Sequence, residues 1–94
     1  MKNANKSKGT KHCAEFTIIG TVIKIYHGKT ADYATVKVQP DPEDYYDTFR
    51  VALPKEYGIE ENDTCTFTGT ITTFFDREKK AQQINFNATT CTPL

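Results

Sequence analysis

Residues 15–27 read Glu-Phe-Thr-Ile-Ile-Gly-Thr-Val-Ile-Lys-Ile-Tyr-His, a segment that cannot bury all its apolar side chains on one face. β-Branched residues dominate it, which favours a pleated strand. Side chains alternate between faces along a strand. Phe16, Ile18 and Val22 therefore share one side, while Ile19, Ile23 and Ile25 share the other. Gly20 stands among them, where a bulge or sharp bend can exchange the faces. A long first strand, bent at a glycine and serving two sheets, is what a small closed barrel requires.

The remaining segments fit that expectation. Gly28 to Asp32 reads as a turn. Tyr33 to Gln39 alternates, with Ala34, Val36 and Val38 inward and Tyr33, Thr35, Lys37 and Gln39 outward. Pro40-Asp41-Pro42-Glu43-Asp44 breaks the strand. Asp47 to Leu53 alternates again, with Phe49, Val51 and Leu53 on one face. Pro54 to Asn62 is the one candidate helix, and Gly58 limits it to about a turn. Thr64 to Phe75 and Ala81 to Thr90 form a last hairpin joined by Asp76 to Lys80. The fold class expected is all-β, with five strands and a short helical turn or none between strands three and four. Closing the strands into a barrel disposes of their edges.

The chain has 94 residues, enough for one domain with an adequate core. Residues 1–14 read as a flexible basic arm, with Lys2, Lys6, Lys8 and Lys11 and no acid. Residues 15–94 form the domain. No apolar run reaches the length of about 18 residues that a membrane span needs. No apolar segment follows the first lysines, as it would in a secretory signal. A cytoplasmic location is expected.

Net charge is zero, which weakly disfavours a nucleic-acid ligand. Its distribution matters more. Residues 41–63 hold eight acids against Arg50 and Lys55, so a polyanion would have to bind away from that stretch. Of the three cysteines, Cys65 falls on the inward parity of its strand. Cys91 falls on the outward parity of the last one, unless a bulge intervenes. Free thiols are the expected state.

Together these strands resemble the oligonucleotide/oligosaccharide-binding barrel, the OB-fold. Particular residues resemble the single-stranded-DNA-binding protein family. Ile18-Ile19-Gly20-Thr21-Val22 is similar to its first-strand signature, and Ala34-Thr35-Val36-Lys37-Val38 to its second strand. Asp47-Thr48-Phe49-Arg50-Val51-Ala52-Leu53 is similar to its third. Ile59 to Ile71 is similar to its charged turn and glycine-centred fourth strand. The likeness spans roughly residues 15–90, and order and spacing carry it more than any single motif. It departs from the family in three places. The linker between the third and fourth strands is short, there is no tryptophan, and the chain ends Cys-Thr-Pro-Leu without an acidic tail. A compact phage, plasmid or mobile-element member fits better than a housekeeping one.

The resemblance implies a non-enzymatic, sequence-tolerant binder of single-stranded DNA, assembled as a homodimer or homotetramer and needing no cofactor. Such binding needs aromatic faces for bases and cations along the backbone. Phe74 and Phe75 sit where the family stacks an aromatic. Parity with Ile71 turns Phe75 inward and leaves Phe74 to stack, although a twisted hairpin base keeps both candidates. Arg77, Lys79 and Lys80 form a phosphate clamp or a solubilising turn. Arg50 and Lys37 project from central strands, Tyr33 shares their face, and Lys24, Tyr26 and Lys29 line the groove or an oligomer face. Tyr45 and Tyr46 lie among acids that repel phosphate. No catalytic constellation or metal-ligand spacing is present. Two other ligands stay open: RNA on the same groove, and a protein partner docked on the acidic 41–63 segment.

Overall fold

The computed structural model describes residues 11–94, so most of the proposed basic arm lies outside the described residues. Five strands follow in order: β1 (Glu15–His27), β2 (Asp32–Val38), β3 (Asp47–Ala52), β4 (Thr64–Asp76) and β5 (Ala81–Pro93). They close into one barrel in the order β1-β2-β3-β5-β4. All neighbours are antiparallel except β3 and β5, which run parallel. The Pro54–Asn62 link contains no helix.

β1 serves two neighbours, as its double-faced pattern requires. Residues Glu15 to Thr21 pair with β4, and Thr21 to His27 pair with β2. The face exchange falls at Ile23 rather than at Gly20. A register shift between Val22 and Lys24 leaves Ile23 half-exposed and turns Ile25 toward the core. Gly20 answers a different constraint. A Cβ there would collide with the Lys37 carbonyl oxygen and the Val36 side chain, so only glycine lets β1 cross so near β2.

The core is filled from the inward parity of every strand. Val22, Val36, Val51, Cys65 and Phe67 are fully buried. Ile18, Ala34, Leu53, Ile59 and Ala88 complete the cluster. The parallel β3–β5 seam is short, with only Val51 opposite Phe86 and Ala52 opposite Asn87. Phe86 compensates by packing edge-on against Phe16 and Phe49, at centroid distances of 5.3 and 5.7 Å. Such pairs each add about 0.5–1.5 kcal/mol beyond the area they bury.

A second bulge corrects the expected direction of Cys91. The β4–β5 register shifts between Thr68 and Gly69, leaving Thr89 as the extra residue. Ala88 and Cys91 then both face inward, and Cys91 packs against the core, where its thiol donates to the Tyr57 carbonyl oxygen at 3.3 Å. Burial raises the pKa of both the Cys65 and Cys91 thiols. All three cysteines are free.

Phe75 takes the inward parity expected of it but meets no core. Phe74 and Phe75 are 47% and 59% exposed. Both stand where the β4–β5 hairpin runs past the barrel, so an inward parity there no longer points into a core. Lys80 closes the hairpin turn with a positive φ of 53°.

The close approach of β4 to β5 at Gly69 can be tested directly. A Cβ at Gly69 would overlap the backbone carbonyl of Asn87. Gly69→Ala should therefore lower stability by at least about 1–3 kcal/mol in urea melts. Thr70→Ala, at the exposed neighbouring position, should stay within about 0.5 kcal/mol of wild type. Equal effects from the two substitutions would contradict the close approach.

Candidate nucleic-acid interface

The alternation that fills the core also assembles the outer face. On β1 and β2, Tyr26 stands directly opposite Tyr33 and Lys24 opposite Thr35. On β2 and β3, Thr35 stands opposite Arg50 and Lys37 opposite Thr48. Across the seam, the β4–β5 hairpin places Phe74 opposite Gln83 and Thr72 opposite Asn85. Because opposed residues share a face, these side chains form one polar and aromatic surface.

Two adjoining depressions run along it. One, of about 490 Å³, is lined by Tyr33, Arg50, Phe74, Lys79, Gln83 and Asn85, among others. The other, of about 460 Å³, is lined by Tyr26, His27, Thr35 and again by Tyr33 and Arg50. Their shared residues make them one groove from the β1–β2 turn to the β4–β5 hairpin. Arg50 sits at its centre, with the guanidinium carbon 4.2 Å from the Tyr33 ring centroid. Lys24 lies over Tyr26 and Lys37 over Tyr46, each with Nζ at 5.3 Å. Cation–π contact fixes these cations in place without neutralising them.

Little negative charge opposes them. Among the described residues the one ion-pair contact is His27 with Asp32, so Arg50, Lys24, Lys37 and Lys79 touch no carboxylate. Asp76 lines the groove, but its Oδ1 accepts the backbone N–H groups of Glu78 and Lys79 at 2.9 and 3.2 Å. Acids of the 41–63 segment accept backbone N–H groups as well. Asp41 accepts from the Glu43 N–H, Asp63 from the Glu60 N–H, and Glu61 from the Ile25 N–H.

The candidates named from sequence separate into two groups. Tyr33, Arg50, Phe74 and Lys79 meet in one pocket, Tyr26 lines the adjoining one, and Lys24 and Lys37 flank them on the same strand faces. Lys29 lines a different depression beside Leu53, Lys55 and Tyr57. Phe75 falls on the opposite parity, and Arg77 and Lys80 lie on the hairpin turn without lining either depression. Gln83, Asn85 and His27 are among the lining residues that escaped the sequence reading. The first two were legible, since they alternate with Phe86 on β5. His27 had no local signal.

At the β1–β2 end, Asp32 ties the turn to the β3–β4 link. The Tyr57 hydroxyl donates to Asp32 Oδ2 at 2.8 Å, and His27 Nδ1 lies 3.0 Å from the same oxygen. The Tyr57 bond first, and the His27 bond second, lower the Asp32 pKa below its ordinary 3.8. The same bond raises the pKa of Tyr57 above its ordinary 10.0.

Comparison with known proteins adds no relative. No family model matches the chain, no curated protein matches it, and no solved structure matches it. The class therefore rests on the strand order and the groove alone. This is an OB-fold-like closed barrel with an exposed aromatic cluster on one face. Among the described residues, no group of three or more His, Cys, Asp or Glu is placed to hold a metal ion, and no helix is long and apolar enough to cross a membrane.

The Asp32 contact predicts a pH dependence. Its contribution is complete above the ordinary carboxylate value and is lost as pH falls through the lowered folded value. Wild-type urea midpoints should therefore drop more steeply below about pH 4 than those of Asp32→Asn, with Tyr57→Phe between them. Parallel curves would show that the Asp32 contacts add nothing to stability.

Proposed function

We propose that the groove binds single-stranded DNA in a largely non-enzymatic, protective or presenting role. Bases stack on Phe74 and on the aromatic surface of Tyr33 and Tyr26. Arg50, Lys24, Lys37 and Lys79 contact the phosphates. The observation that carries this reading is the convergence of Tyr33, Arg50 and Phe74 from three strands on one depression, with the cations unneutralised. Stacking is worth about 1–3 kcal/mol per base, and backbone contacts release counterions. Zero net charge does not oppose this, because local potential decides where a phosphate chain docks, and Asp41 and Asp63 are engaged at turns.

Fluorescence anisotropy with labelled oligo(dT) tests it. Affinity should fall with salt at a log–log slope near about −3, which is roughly −0.7 for each of the four named cations. Arg50→Ala should lessen that slope by about 0.7, and Phe74→Ala should cost about 1–3 kcal/mol. Phe75→Ala, Arg77→Ala and Lys80→Ala should change little. Absence of binding at low salt would refute the proposal. Equal binding of a matched oligo(U) would extend the ligand to RNA, since the 2′-hydroxyl is the distinguishing group.

One observation favours a second reading. Tyr45 is 98% exposed on a loop that also carries Asp41, Glu43 and Asp44. An exposed aromatic among acids suits a basic protein partner better than a phosphate chain. That reading gains if no nucleic acid binds, and loses if Tyr45→Ala weakens binding to DNA.

Assembly into a homodimer or homotetramer belongs to the same proposal. Ile19 and Ile23 leave apolar surface on β1, at 55% and 46% exposure. Light scattering should give a mass of two or four chains, and Ile19→Lys with Ile23→Lys should reduce it. A monomer in the wild type would remove this part.

A further inference from the structure

β5 carries four amide side chains in its first half, and they divide by hydrogen bonding. Gln82 Nε2 donates to Thr73 Oγ1 at 3.1 Å. Asn87 Nδ2 donates to Thr72 Oγ1 at 3.0 Å and to the Thr70 carbonyl at 3.4 Å. Between them, Gln83 and Asn85 have no side-chain hydrogen-bond partner among the described residues. These are also the two amides that line the depression with Phe74, Tyr33 and Arg50. Both are half-buried. Gln83 stands directly opposite Phe74, and Asn85 lies opposite the small Thr72 next along.

A half-buried amide gains from a partner, and each one offers an N–H₂ donor beside a carbonyl acceptor. Of the other charged groups at this depression, Asp76 has its Oδ1 held by the hairpin turn, and Arg50 and Lys79 carry donors alone. A base stacked on Phe74 would therefore bring its edge beside two amides that have no protein partner and offer both a donor and an acceptor.

We propose that Gln83 and Asn85 read the edge of the base stacked on Phe74, so that the groove prefers adenine at this position. The proposal rests on the single-stranded-DNA reading and deepens it. Stacking tolerates every base, because each has a π face, and phosphate contacts carry no sequence information. On the Hoogsteen edge adenine alone offers an adjacent donor and acceptor, N6–H₂ and N7, with which an amide pairs in bidentate fashion. The chain therefore joins two sequence-tolerant terms to one selective term, placed at the hairpin end of the groove.

The test is a competition titration of the full chain against a labelled oligo(dT) tracer. Unlabelled (dA), (dC) and (dT) strands of equal length are the competitors, with wild type compared to Gln83→Ala/Asn85→Ala. The ratio of (dA) to (dT) affinity should fall about tenfold in the double variant. Phe74→Ala should instead weaken all three strands together. An unchanged ratio, or a parallel loss for all strands in the double variant, overturns the proposal while leaving strand binding intact. A wild type that binds no strand overturns both the proposal and the reading beneath it. Circular dichroism checks that the double variant is folded. If it is not, Gln83→Glu/Asn85→Asp removes the donors while keeping side-chain size, and the same loss of ratio is required of it.

Discussion

The barrel depends on one strand being paired twice. β1 lies against β4 through its first half and against β2 through its second, which is how a five-stranded sheet meets itself. Two local devices make this feasible. Gly20 lets the backbones cross closely where the partners change, and the bulge at Ile23 moves Ile25 to the inside. Without the first, a side chain would occupy the space of a β2 carbonyl. Without the second, Ile25 would point to solvent and Lys24 would be driven toward the core. The opposite seam is held more lightly. Two residue pairs of parallel ladder join β3 to β5, and the Phe16–Phe86–Phe49 cluster does much of the closing there.

The groove is a consequence of the same closure. A strand pleat sends alternate residues outward, and the registers of β2 with β1 and β3 align Tyr26, Tyr33, Thr35 and Arg50 on one side. The short β3–β5 seam then brings the β4–β5 hairpin alongside. Phe74 reaches Arg50 and Tyr33 only because that hairpin is long enough to pass beyond the core. Its exposure follows from the same length. A phenylalanine half in solvent is unfavourable in the unbound protein, and a stacked planar ligand would relieve it.

Charge is organised by position rather than by balance. With equal numbers of acids and bases, the chain has no overall pull toward a polyanion. Asp41, Asp63 and Asp76 are placed on turns, where their carboxylates accept backbone N–H groups. Lys24, Lys37 and Arg50 rest on aromatic rings instead of carboxylates. A cation held this way keeps its field and its remaining donors directed outward. Local potential, not net charge, then governs which surface a phosphate chain meets.

Much of this architecture was legible in residue order. Residue pattern and turn signals located five strands, and alternation gave the inward set Ala34, Val36, Val51 and Cys65. It also assigned Tyr33, Lys37 and Arg50 to the outside, because the period of two is a property of the backbone and holds wherever the pleat is regular. What escaped it lies where the pleat is interrupted. Cys91 turns inward because Thr89 is an extra residue, and a bulge leaves no mark in the alternation of a segment as polar as Asn85 to Thr92. Phe75 stays exposed because parity names a face but cannot say whether a core lies behind it. The meeting of Phe74, Arg50 and Tyr33 likewise depended on register across a seam between strands distant in sequence. Local order determined which residues face outward, and only barrel closure decided which of those residues share a site, since that requires distances set by pairing and not by spacing along the chain.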